Sequence, residues 1–222
     1  MPRTLVTSRE LVISRTLRSG PTNNILDNFN RANSTTTLGS NWTALKLYAG
    51  TGTNLGISSN QAYNPAAQFA RYLAMYYNAA TYGPDCEVYF TISVRSSTSD
   101  EDCPALHARI TSPGSSFNGY IFGAKYSDNT VHIERADAGV TTVLGAHVSA
   151  TLVSGDKLWF RLNGSTLEGW VYHSGAWSLV ISRTDTTYNT AGYFGLYIPN
   201  NHQDDRIDDF GGGDIYSIRT LI

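Results

Sequence analysis

The sequence predicts an all-β fold, a two-sheet antiparallel sandwich preceded by an extended N-terminal arm. Three observations predict it. The chain holds twenty Gly, fourteen Tyr, eight Phe and four Trp, residue types that suit pleated strands and the tight turns between them. Short apolar-alternating runs recur, broken by Gly, Asn, Asp, Ser and Pro, as in sandwiches and barrels. Beyond residue 24 no stretch carries the sustained 3.6-residue period of an amphipathic helix.

Length and composition set the outer bounds. The 222 residues suffice for one domain with an appendage, large enough to bury a core without staples. Charged residues are only 15%, against roughly 25% in soluble chains, so Ser, Thr, Asn, Gly and Tyr must supply the polar surface. A net charge of −2 and a pI near 6.2 lack the basic excess of a nucleic-acid binder. No run of 18 apolar residues occurs to span a membrane. Cys86 and Cys103 are the only cysteines; their predicted strand positions lie beyond disulfide reach, so both are expected as free thiols of a reducing compartment.

The first element is the arm, residues 1–24. It carries Arg3, Arg9, Arg15 and Arg18 against Glu10, a net +3 that leaves −5 on the remainder of the chain. Arg9 and Glu10 interrupt it before any apolar signal-peptide core forms. Leu5, Leu11, Ile13 and Leu17 alternate partly with polar residues. Two readings stand: a frayed terminus, or an arm that docks on a neighbouring subunit by strand addition.

The body, residues 25–222, reads as strands in order. Runs at 25–30, 42–48, 55–63 and 69–77 open it. The block 64–80 has some helical character, but its aromatics and its place between strand runs favour a strand. In 85–95, Cys86, Val88, Phe90, Ile92 and Val94 alternate inward and Glu87, Tyr89, Thr91 and Arg95 outward. In 105–111, Leu106, Ala108 and Ile110 face in, and His107 and Arg109 face out. A turn centred on Ser99 would make these two strands neighbours. Runs at 120–126 and 131–135 turn at Asp128-Asn129, and 141–144 follows. Runs at 157–162 and 166–172 join at Asn163-Gly164, the type I′ signal, which pairs Trp159 with Glu168. Leu158, Phe160, Leu162, Leu167 and Val171 then form a core face, and Trp159, Arg161, Glu168, Trp170 and Tyr172 the opposite one. Runs at 177–182, 193–198 and 207–218 close the body.

Several segments carry a family likeness. Leu26-Asp27-Asn28-Phe29-Asn30-Arg31-Ala32-Asn33, with Leu38-Gly39-Ser40-Asn41-Trp42 and Leu55 to Tyr63, resembles the first strands of concanavalin A-like jelly rolls. Ile207-Asp208-Asp209-Phe210 resembles the last strand of that family, which returns beside the first. The likeness spans about residues 25–220. It implies fold more than function, because lectins, hydrolases, lyases and spacers share it. A short arm before such a body resembles tailed-phage virion proteins, of the minor tail or capsid-decoration kind. That resemblance implies a structural protein assembled in host cytoplasm, released by lysis, with other virion proteins as partners and host-surface polysaccharide as a further one.

Catalytic chemistry is poorly represented. Retaining glycosidases need two carboxylates about 5–5.5 Å apart, and the E-x-D-x-E pattern that supplies them in jelly-roll hydrolases is absent: Glu87 is followed at two residues by Tyr89. Jelly-roll polysaccharide lyases use Tyr, His and Arg, and Tyr89, His107 and Arg109 fall on a predicted common outward face. Alternating polar residues on an open sheet look the same. No metal is implied by histidine spacing. Calcium is implied by the resemblance, since it joins first and last strands in many jelly rolls; Asp27 with Asp208 or Asp209 would hold it.

The expectation is therefore a non-enzymatic protein, with a lyase ahead of a hydrolase as the catalytic alternative and a free lectin as the third. The outward Trp159, Trp170 and Tyr172, beside Arg161 and Glu168, mark an interaction face. Sugar stacking, protein packing and a covering second layer all fit it.

Overall fold

The computed structural model describes residues 19–45, 54–65, 73–97, 104–114, 116–199 and 204–215. Sixteen strands occur among them: β1 (Ile25–Asp27), β2 (Trp42–Leu45), β3 (Gly56–Ser58), β4 (Gln61–Tyr63), β5 (Leu73–Tyr77), β6 (Cys86–Val94), β7 (Ala105–Thr111), β8 (Asn118–Lys125), β9 (Thr130–Asp137), β10 (Val140–Val143), β11 (Val148–Ser149), β12 (Lys157–Asn163), β13 (Thr166–His173), β14 (Ala176–Thr184), β15 (Tyr193–Ile198) and β16 (Arg206–Asp214). They form two antiparallel eight-stranded sheets, the predicted sandwich. Sheet A runs β14-β13-β12-β6-β16-β4-β3, with β1 on β16; sheet B runs β10-β9-β8-β7-β15-β5-β2, with β11 on β9. First and last strands pair, Ile25 opposite Gly211 and Asp27 opposite Phe210.

Alternation decides what lies between the sheets. Val88, Phe90, Phe160, Leu167, Leu106, Phe122, Ile133 and Leu196 meet there with almost no exposure. Burial of this apolar surface is the main stabilising term. A second buried cluster is separate from it: Ala105, Ile110, Ile121 and Tyr197 of sheet B, with Phe117 just before β8.

The structure corrects four expectations. The run 55–63 is two strands, because Ser59 and Asn60 both take positive φ, 53° and 62°, the type I′ pattern. The β12–β13 turn is displaced by one residue. Only Gly164 (φ 56°) is left-handed there, which fits a type II′ turn with Gly first. The faces survive the shift, but Trp159 pairs with Trp170 and Arg161 with Glu168.

Strands β6 and β7 do not form a hairpin; one lies in each sheet. Ile110 leaves the inter-sheet core, because Arg109 takes φ 51° and the β7 ladder slips between Ala108 and Thr111. Such a bulge switches the faces of the residues beyond it. Cys86 is a buried free thiol whose pKa burial pushes up to about 12. Cys103 lies outside the described residues.

Candidate functional site

The outer face of sheet A carries the aromatic cluster. Cross-strand register aligns Tyr89, Trp159 and Trp170 in one row and Glu87, Arg161 and Glu168 in the next. Tyr172 lies opposite Trp177 on the edge strand β14. Trp159 packs on Trp170 at 5.2 Å between centroids and meets Trp177 edge-on at 5.5 Å. Tyr172 and Trp177 are 5.4 Å apart. Arg161 Nη1 donates to Glu168 Oε2 at 3.1 Å, and Trp170 Nε1 reaches the same oxygen at 3.4 Å.

Much of this face is covered by the chain itself. Trp159 is 1% and Tyr89 9% exposed: Trp170 and Trp177 flank the Trp159 ring, and residue Asn23 of the segment 19–24 meets Tyr89. Glu87, 1% exposed, is the anchor. Its Oε1 accepts from Thr22 N (2.6 Å), Thr22 Oγ1 (2.9 Å), Asn23 N (3.0 Å) and Asn23 Nδ2 (2.9 Å). Its Oε2 accepts from Trp159 Nε1 at 3.2 Å. A buried carboxylate is tolerated only when it is hydrogen-bonded this fully. Tyr89 Oη donates to Asn23 O at 2.9 Å, and burial, with Asp209 and Glu87 nearby, pushes its pKa up to about 12.

What stays open is a groove of about 360 Å³ along the edge of this cover. Tyr172, Trp177 and Lys157, all half-buried, line it with Asp209, Tyr89, Ile25 and Ser19 to Pro21. Two aromatic faces beside one cation and one carboxylate give a surface for ring stacking with hydrogen-bonding partners at its border. Trp177 and Lys157 were not singled out by sequence. The signal available was the β13–β14 register, which sets Trp177 across from Tyr172. A second groove, about 480 Å³, runs between Asn33–Thr36 and Ile57–Tyr63 and offers hydroxyls with one aromatic.

The proposed Tyr89, His107 and Arg109 face does not form. Tyr89 belongs to sheet A, and the other two to sheet B. His107 is 1% exposed, stacked 5.4 Å from Phe117, and burial pulls its pKa down to about 3. Arg109, also 1% exposed, donates to Pro84 O, Tyr188 O and Gly164 O at 2.8, 2.7 and 2.7 Å. Its guanidinium is committed to backbone carbonyls, so these three residues do not make a lyase centre.

The carboxylates expected at calcium do not fit the ion. Asp27 Oδ1 and Oδ2 take Arg31 Nη1 and Nη2 at 2.9 and 2.7 Å. Trp42 Nε1 donates to Oδ2 at 2.7 Å and Phe29 N to Oδ1 at 2.8 Å. Calcium needs six to eight oxygens, and here a guanidinium occupies the leading one. Asp208 accepts from Asp209 N at 2.8 Å; burial, with Asp209 and Asp27 beside it, pushes its carboxyl up. No group of three or more metal-ligating side chains occurs among the described residues. Arg3, Arg9, Arg15 and Arg18 lie outside those residues.

No family model matches the chain, and no curated protein matches it. Solved structures do. Carbohydrate-binding module CBM66 from Bacillus subtilis superposes with a TM-score of 0.55 at 16% identity, covering 78% of this chain and 92% of that one. The exoplasmic/lumenal domain of VIP36 in its Ca2+/Man3GlcNAc-bound form gives 0.60 at 14% identity, over 82% and 86%. The legume lectin-like domain from Entamoeba histolytica gives 0.57 at 11% identity, over 79% and 91%. At these identities the likeness is one of fold: the chain has the jelly-roll sandwich fold that these domains share.

Proposed function

We propose that this chain is a non-catalytic carbohydrate-recognition module. It binds a glycan in the sheet A groove, with Tyr172 and Trp177 as stacking platforms and Lys157 and Asp209 as hydroxyl partners. The observation that carries this reading is the pair of half-open aromatic faces 5.4 Å apart beside both charges. Support comes from the fold, which the carbohydrate-binding module CBM66 shares, and from VIP36, which shares it in a Ca2+/Man-bound form. The dispersal of Tyr89, His107 and Arg109 argues against a lyase reading. The sequestration of Glu87 argues against that carboxylate as a nucleophile.

The test is titration of the full chain with a panel of mannose, glucose, galactose and fructose oligosaccharides. Binding that falls at least ten-fold in Trp177→Ala and Tyr172→Ala supports the reading. No binding to any member of the panel, or binding indifferent to both variants, overturns it.

In the wider reading the module is displayed on a phage particle and its basic arm docks on a neighbouring virion subunit. Its support is the sequence resemblance and the charge division at residue 24. A free lectin would use the same groove. Detection of the chain in purified particles, lost on deletion of residues 1–18, separates the two.

A further inference from the structure

The triple glycine Gly211-Gly212-Gly213 and the buried Glu87 belong to one device. They form a track on sheet A that holds residues 21–24 as a strap, bent at Asn23. A Cβ on Gly213 would lie 2.4 Å from Asn23 Oδ1, and one on Gly211 would lie 2.8 Å from Asn24 O and 2.2 Å from Tyr89 Cζ. The strap fits only because these positions have no side chain. It is held along its length: Thr22 and Asn23 by Glu87, Asn23 Nδ2 by Asp214 O at 3.1 Å, Asn23 O by Tyr89, and Asn24 O by Gly212 N at 3.2 Å.

At its outer end, Gly20 is buried against the Trp177 ring. A Cβ there would come 2.5 Å from Trp177 Nε1, and φ is +128°, a conformation open to glycine. Trp177 sits on β14, beyond which sheet A has no further strand among the described residues. Among the described residues its ring meets those of Trp159 and Tyr172 and lies against Gly20 of the strap.

We infer that Ser19–Asn24 is a latched wall of the glycan groove, and that Glu87 is the positioning residue that fixes Trp177 through it. This rests on the groove being the glycan site. Filling the groove and docking the strap then favour one another, because each orders the same surface, and the coupling is reciprocal.

Two full-length variants test this without altering the sandwich strands. Thr22→Val with Asn23→Ala removes the two side-chain donors to Glu87. Gly20→Val pushes the strap from Trp177. The expected result is a shifted, broadened Trp177 indole N–H resonance in both variants without any sugar. A second expected result is an affinity at least ten-fold weaker for whichever oligosaccharide of the panel the parent binds. That sugar should also slow amide exchange at Thr22 and Asn23 in the parent chain. If the parent binds sugar and both variants bind it equally well, the wall inference fails and the glycan reading stands. If the parent binds nothing on the panel, the glycan reading and the wall of a glycan groove fail with it, and the Trp177 signal of the Thr22→Val/Asn23→Ala variant then decides only whether Glu87 fixes Trp177 through the strap: an unmoved signal overturns that too.

Discussion

Arg109 Nη2 donates to the carbonyl oxygen of Gly164 at 2.7 Å, so a residue of sheet B grips the β12–β13 hairpin of sheet A. The same guanidinium holds Pro84 O before β6 and Tyr188 O before β15. One buried cation thus fastens three connections at one end of the sandwich. Arg109→Met leaves those carbonyls without this partner and should destabilise the fold by about 3–5 kcal/mol. Arg109→Lys should recover only part, because one ammonium does not reproduce the planar fork. Urea unfolding checks this: the midpoint falls in both variants at an unchanged slope.

Gly211 faces Tyr89 and the strap at once. A Cβ there meets Tyr89 Cζ at 2.2 Å, Tyr89 Oη at 2.3 Å and the Asn24 carbonyl at 2.8 Å. Neither backbone nor ring can yield without lifting the strap. Gly211→Ala should cost about 1–3 kcal/mol and lower the melting temperature. Gly114→Ala, where a Cβ meets nothing within 4 Å, should leave it nearly unchanged.

The alternation of Cys86–Ile92 and Leu158–Leu162 was legible because a period of two is a local property. So was the outward row of Trp159, Arg161, Trp170 and Tyr172, since a one-residue displacement of the hairpin turn leaves each strand's faces intact. The placement of β6 and β7 in different sheets was not legible, because strand partners are chosen over long sequence distances. The burial of Glu87 was hidden for the same reason: what binds it is Thr22 and Asn23, 64–65 residues earlier in the chain. Arg109 misled because its positive φ turns an apparently outward residue inside.

Asp205 gives the fold a pH dependence of its own. Burial pushes its carboxyl up to about 7, against the Ser96 N–H, Arg95 and Arg206, which pull it down. The unfolded value is about 3.9, so the native state holds this proton more tightly. The contribution is complete below about pH 4 and is lost as pH rises through 7. Asp205→Asn keeps an oxygen for Ser96 N, which donates to Oδ1 at 2.7 Å. The variant should therefore melt above the parent at pH 8 and show a flatter profile between pH 4 and 7.

Histidines act in the opposite direction. Burial pulls His107 down to about 3, and burial with His147 and Lys125 pulls His132 down to about 4. Both values lie below the unfolded 6.5, so the unfolded chain takes up these protons first. Their contribution is present above about pH 6.5 and is lost as pH falls through 4 and 3. Between pH 4 and 6.5 two histidines thus oppose one aspartate, and acidification should lower stability on balance. His107→Phe keeps a ring against Phe117, whose centroid is 5.4 Å away, and removes the titrating group. Thermal melts from pH 4 to 7 should show the variant losing less stability on acidification than the parent. An identical acid slope in the two chains would assign the loss to other groups.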